Sequence, residues 1–294
     1  MIDPKDIDRR LYDLYDEYCH TIMSRRDFLQ KASAMTIAGV SGLAMAQALL
    51  PRYAEAQTIS FTDERIRATY VDYPSPGGTS GDMRGYLVEP AAEGPHPAVI
   101  VIHENRGLNP YIEDVARRFA TMGFLALAPD GLSPVGGYPG NDDDGKVLQK
   151  SLDQDQLKTD MLNSARYVQS HESSTGKLGS VGFCWGGGVT NYLAVEMGVN
   201  LHAAVPFYGA APDSEQVKDI TAPLMVQAAE MDDRINAMWP GFEAALQANG
   251  NDYVRYLYED TGHGFHNNST PRFNEDMAAL AEQRTMKFFK RHLA

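Results

Sequence analysis

Short apolar runs with no polar alternation recur along this chain, over residues 98–102, 124–128, 178–183, 203–208, 224–228 and 253–258. Strands that read this way are buried on both faces, which is the condition of a mostly parallel sheet covered on each side. The segments between them carry the other period. Ile112, Val115, Ala116 and Phe119 fall at i, i+3, i+4 and i+7, and Leu157, Met161, Leu162, Ala165 and Val168 do much the same. Phe242 with Leu246, and Met286, Phe289 and Leu293, continue the helical stripe. Ahead of this alternation, 65–71 and 85–88 flank a Pro/Gly turn and predict an antiparallel hairpin. The expectation is a three-layer α/β domain: a mostly parallel sheet with an antiparallel N-terminal hairpin and helices on both faces.

The first 56 residues read differently. Ser24-Arg25-Arg26-Asp27-Phe28-Leu29 precedes a Gly/Ala-rich, mildly apolar stretch over 32–50 and the small-residue pattern Ala54-Glu55-Ala56. That is the order of an export signal, and the arginine pair with Phe28 and Leu29 resembles the twin-arginine type, which a receptor reads. A membrane anchor wants about 20 strongly apolar residues, whereas Ser33, Thr36, Gly39, Ser41, Gly42 and Gln47 dilute this stretch. The segment ahead of the arginines is acidic, with Asp3, Asp6, Asp8, Asp13, Asp16 and Glu17 where such signals are usually basic. The expected organisation is a 1–56 extension and signal followed by a 57–294 catalytic domain. Export machinery would be a partner, no stable anchor would remain after cleavage, and the location would be periplasmic, or cytoplasmic if the signal does not function.

A formal charge of -13 opposes the electrostatics that nucleic acids reward, so nucleic acid is not an expected partner. Two cysteines, Cys19 and Cys184, rule out a disulfide scaffold. The acidic run 140–145 invites a calcium-loop reading. With Gly145 at the sixth position, however, the first and twelfth would be Gly140 and Ser151, neither of which carries a carboxylate, and a solvated loop is expected instead.

Chemistry concentrates at Gly182-Phe183-Cys184-Trp185-Gly186, which follows an apolar strand and precedes a helix-compatible stretch. Gly-x-Cys-x-Gly is the nucleophile-elbow pattern with sulfur in place of the serine oxygen. A sulfur at a helix N-terminus favours the thiolate, and the Trp185 amide points where an oxyanion would develop. In an α/β-hydrolase the nucleophile, acid and histidine follow in that order on loops beyond strand ends. Here the strand 224–228 runs into Glu230-Met231-Asp232-Asp233-Arg234, and 253–258 runs into Gly262-His263-Gly264-Phe265-His266. His263, between glycines at a strand end, is the candidate base, and His266 a hydrogen-bonded surface or supporting group. His263, His266 and His103 match no short helical ligand spacing, so no metal and no cofactor is expected.

Together with His103-Glu104-Asn105-Arg106-Gly107 after the first parallel strand, these motifs resemble the dienelactone hydrolase (carboxymethylenebutenolidase) family across most of 60–292. The resemblance implies an α/β-hydrolase fold and a Cys-His-Asp triad that opens an enol-lactone. It also implies Cys184 as nucleophile, His263 as general base and acid, Asp232 as the group orienting it, Glu104 as the cysteine's partner, and the Asn105 amide as a second oxyanion donor. Asp233 is the nearest competitor of Asp232. The family's arginine after the histidine, which clamps a substrate carboxylate, has no counterpart in Phe265-His266-Asn267-Asn268, so a neutral lactone or small ester is the expected substrate. Two alternatives stand beside that hydrolase: a non-catalytic binding protein on the same fold, and a redox-active thiol protein, which would lack a resolving cysteine after cleavage.

Overall fold

In the computed structural model, alternate side chains of the strand His96–Ile102 divide the interior in two. Val99 and Val101 enter one apolar cluster, and Ala98, Ile100 and Ile102 enter the other. The description covers residues 9–294 apart from 22, 38, 39, 44, 45, 47–49, 51 and 52. A ribbon of β1 (Thr36–Ile37) and β2 (Val40–Ser41) belongs to the N-terminal segment. The main sheet comprises β3 (Ile66–Ser75), β4 (Gly81–Pro90), β5 (His96–Ile102), β6 (Leu125–Pro129), β7 (Ser174–Phe183), β8 (Ala203–Phe207), β9 (Leu224–Ala229) and β10 (Tyr253–Tyr258). Their order across the sheet is β10-β9-β8-β7-β5-β6-β4-β3. The hairpin β3–β4 and the β4–β6 pair are antiparallel, and every other pairing is parallel.

Helices α4 (Pro110–Thr121) and α10 (Glu275–His292) cover the first cluster, while α6 (Gln154–Gln169), α7 (Trp185–Met197) and α9 (Trp239–Asn249) cover the second. The three-layer reading of the sequence therefore holds. Helix α4 starts at a standard cap: Asn109 accepts from the Ile112 amide and Pro110 follows at the first helical turn.

The chain leaves β5 through α4 to reach β6 on one side, then returns through α6 to β7 on β5's other side. Strand order reverses there, so the carboxyl ends of β5 and β7 flank a crevice of the kind that receives ligands in open α/β sheets. Glu104 follows β5 and Cys184 follows β7.

The 140–145 run is not a solvated loop. Residues Asp142–Ser151 form helix α5, capped by Asn141, whose side chain accepts from the Asp144 amide at 2.9 Å. Acidic residues suit a helix N-terminus. Asp142 is buried, pairs with Arg106 at 2.7 Å and accepts from the Tyr53 hydroxyl at 2.6 Å.

Helices α1 (Arg9–His20), α2 (Arg25–Ser33) and α3 (Tyr53–Ala56) make up the rest of the described N-terminal segment with the ribbon. Leu11, Leu14, Tyr15, Tyr18, Met23 and Phe28 close a small apolar cluster of their own. Two cations of the main domain hold it: Lys146 donates to the Tyr18 and Met23 carbonyls at 2.6 and 3.0 Å, and the Arg272 guanidinium lies 4.9 Å from the Tyr15 ring. Much of the expected apolar stretch 32–50, along with Asp3, Asp6 and Asp8, falls outside the described residues. Among the described residues no helix is long and apolar enough to cross a membrane.

Candidate active site

Cys184 sits between β7 and α7 with φ 56° and ψ -113°, a region that side chains other than glycine rarely occupy. Its amide donates to the Phe207 carbonyl at 3.1 Å, which ties the bend to the neighbouring strand. The glycines around it answer to space. A Cβ on Gly182 would stand 2.1 Å from the Gly186 carbonyl oxygen, and one on Gly186 would stand 2.4 Å from that of Ile102. The elbow packs backbone on backbone and presents a half-buried sulfur to a cavity of about 470 Å³.

The next loops along the sheet bring the other two groups. His263 Nδ1 lies 2.5 Å from Asp232 Oδ2, and the Cys184 side chain stands close enough to act on the charge of the ring. Asp232 caps the short helix α8 (Asp233–Asn236) by accepting from the Ile235 amide at 3.3 Å, so its carboxylate is fixed at both oxygens. The Met231 amide donates to the Thr261 carbonyl at 2.9 Å and links the two loops. Asp233, the competitor, is exposed. Burial disfavours charge on both partners, yet the pair wins. His263 is held above the ordinary imidazole range by the Cys184 sulfur and by Asp232, against its burial. Asp232 is held below the usual carboxylate range by the hydrogen bond and charge of His263, again against burial.

Glu104 is buried beside them and accepts from the Asn267 side-chain amide at 2.9 Å. Burial pushes its carboxyl up, the charge of Cys184 adds to that, and Arg106 and Arg272 oppose it. Asn105 and Trp185 both line the cavity. Trp185 opens α7, so its amide is among the first-turn donors that have no acceptor within the helix. Arg106 Nε donates to Asn105 Oδ1 at 3.3 Å.

His103, which sequence reasoning weighed only as a metal ligand, is a brace. Its Nε2 accepts from the Gly131 amide at 3.1 Å, so Nδ1 carries the proton donated to the Glu104 carbonyl at 2.5 Å. Burial lowers its pKa to about 4, and the neutral ring stacks on Trp185 at 5.3 Å. Among the described residues no group of His, Cys, Asp and Glu is arranged to hold a metal ion.

Two features escaped the sequence, and His266 was read only in part. Tyr208 leaves β8 with φ 36° and sets its ring 4.9 Å from that of His263. Arg272 folds back so that a Cβ on Gly264 would meet its guanidinium at 3.0 Å. A guanidinium therefore does stand at the histidine loop, supplied from farther along the chain than the Phe265–Asn268 stretch. The residues lining the cavity do not include it. His266 is not on the surface: it is buried, shares a hydrogen bond of 2.8 Å between Nδ1 and the Tyr111 hydroxyl, and stacks on Phe183.

The profile of the "Dienelactone hydrolase family" matches residues 83–293, and a second profile, "YqhI-like", matches residues 3–38. A Bradyrhizobium protein named "Probable 2-oxo-3-(5-oxofuran-2-ylidene)propanoate lactonase" is 30% identical over 245 residues, covering 78% of this chain and 96% of its own. An Escherichia coli K12 protein named "Putative hydrolase fragment YghX" is 61% identical over 115 residues, 39% of this chain and 97% of that one. The crystal structure of a protein named "Putative Dienelactone Hydrolase" from Klebsiella pneumoniae superposes with a TM-score of 0.65 at 26% identity, covering 76% of this chain and 99% of the other. With its sheet order, its elbow and a family match over most of its length, the chain belongs to the dienelactone hydrolase family and is a carboxylic ester or lactone hydrolase.

Proposed function

We propose that the enzyme opens a neutral lactone or small carboxylic ester through a thioester formed on Cys184. The observation that carries this reading is the position of His263, its Nδ1 2.5 Å from Asp232 Oδ2 and its ring under the charge of Cys184, whose side chain lines the cavity. His263 takes the thiol proton and the thiolate attacks the carbonyl carbon. The oxyanion that forms is met by the Trp185 and Asn105 amides. Collapse breaks the bond to the alkoxide, which takes the proton from the imidazolium; in a lactone it stays attached to the acyl group. Water then gives a proton to His263 and attacks the thioester, and collapse releases the carboxylic acid and restores the thiol. Asp232 keeps the ring aligned and supports its positive charge. Glu104 is suited to accept a hydrogen bond from the Cys184 thiol and keep the proton on sulfur until substrate arrives and His263 takes it, which limits oxidation of an idle thiolate.

Replacing Cys184 with alanine should cut p-nitrophenyl acetate turnover by about 10³-fold or more. Turnover retained at the native level would remove the assignment. The export reading rests on the Ser24–Leu29 motif, the mildly apolar stretch after it and Ala54-Glu55-Ala56, and Arg25 and Arg26 are exposed at the start of α2. If this is a working twin-arginine signal, replacing the pair with Lys-Lys should hold the protein in the cytoplasm, and undiminished export would refute it.

A further inference from the structure

Helix α7 does more than place the nucleophile. Gly186, Gly187, Thr190, Asn191, Leu193, Ala194 and Met197 are buried. Trp185, Gly188, Tyr192 and Val195, spaced three, four and three apart, are only half-buried and line the cavity, with Val189 between them. This is one stripe of the helix, beginning next to the sulfur and running for about 15 Å at 1.5 Å per residue. An apolar stripe left partly open along a cleft is surface that the core does not use.

The facing wall is built from the segment after β8. Tyr208 is followed by Gly209, Ala210, Ala211 and Pro212, small or rigid residues that leave the channel open. Asn191 donates to the Ala210 carbonyl at 2.8 Å and pins that wall to α7, so the width is set by a hydrogen bond within the fold. Lys158 also lines the cavity, 5.9 Å from the Tyr192 ring.

Resting on the hydrolase reading above, the geometry points to a substrate with an elongated, unbranched apolar limb that lies along Trp185, Val189, Tyr192 and Val195, with Val195 setting the length accepted. The limb belongs to the acyl or the alcohol side of the ester, and the test separates the two. One series is p-nitrophenyl acetate, butyrate, hexanoate, octanoate and decanoate. The other is ethyl, butyl, hexyl and octyl acetate. In one series kcat/KM should climb roughly two- to fourfold per methylene and then level off as the chain reaches Val195. Val195→Trp should flatten the climb at its long end, lowering kcat/KM for the longest esters by a far larger factor than for the shortest. Val195→Ala, which carries no risk of overpacking, should extend the climb. A fall from the shortest ester in both series, or variants that shift all chain lengths equally, would overturn the proposal. The catalytic reading is judged separately, by whether Cys184→Ala abolishes turnover of the shortest ester.

Discussion

His263 and His266 lie in one loop and are buried to nearly the same degree, 5% and 3% exposed, yet they belong to two different regions. His263 stands between a carboxylate and a sulfur, and these neighbours lift its pKa despite burial. His266 faces the interior, against Phe183 and Phe207, and is driven well below the ordinary range by burial and by the nearby Arg118. Depth alone therefore does not decide what a histidine does here. The charge next to it does. One ring has the neighbours that the proposed base needs, and the other is kept neutral by burial and joins Tyr111 to the core.

Exchanging the two by mutation should give unlike losses. His263→Ala should lower kcat/KM by about 10³- to 10⁵-fold with little change in thermal midpoint. His266→Ala should cost about 2–4 kcal/mol of stability through the cavity and the Tyr111 hydroxyl it strands, while steady-state turnover at low temperature stays within roughly tenfold. A reversed ranking in the kinetics would assign the base to the wrong region.

A finer cut removes the charge but keeps the shape. Asp232→Asn should lower kcat/KM by about 10²- to 10⁴-fold. It should also move the His263 pKa down, because the Asp232 hydrogen bond and charge both raise it. Titration of the ring proton by NMR reads that shift directly. An unchanged pKa would mean that the carboxylate does not support the imidazolium.

The smallest expected effect concerns the interior. Because His266 is held neutral when folded, the unfolded chain binds a proton that the folded one refuses once the pH drops below about 6.5. Stability then falls with falling pH. His266→Gln should remove up to about 2 kcal/mol of the loss between pH 7 and pH 5, measured by denaturant unfolding. His103 acts with the same sign in both proteins, so the difference isolates His266. Parallel stability curves would show that His266 is not held neutral.

The same contrast explains what the sequence revealed. The apolar runs and helical stripes carried the fold because burial on both faces of a sheet leaves a compositional trace. The meeting of Cys184, Asp232 and His263 was legible because each follows a strand in the order that a hydrolase requires. Asp142 was misread because its partners, Arg106 and Tyr53, lie far off in the chain and reach it only through the fold. Arg272 was missed for a similar reason: the segment after His263 turns back, with the Asn274 amide donating to the Phe265 carbonyl at 3.0 Å, and carries the guanidinium to Gly264. Tyr208 stands at a strand end like the others, but nothing in Phe207-Tyr208-Gly209 shows that its backbone takes a positive φ and aims the ring at His263. The open stripe of α7 looked like ordinary helix because its apolar character continues around the whole cylinder.

The central claim is a covalent bond between the acyl group and one sulfur. Rapid acid quench of the enzyme with p-nitrophenyl butyrate, followed by peptide mass spectrometry, should find the butyryl mass on the peptide containing Cys184, and the mass should persist longer in Asp232→Asn. Turnover at the native rate with no acyl group on Cys184 under any quench time, or the acyl mass on another residue, would contradict the account.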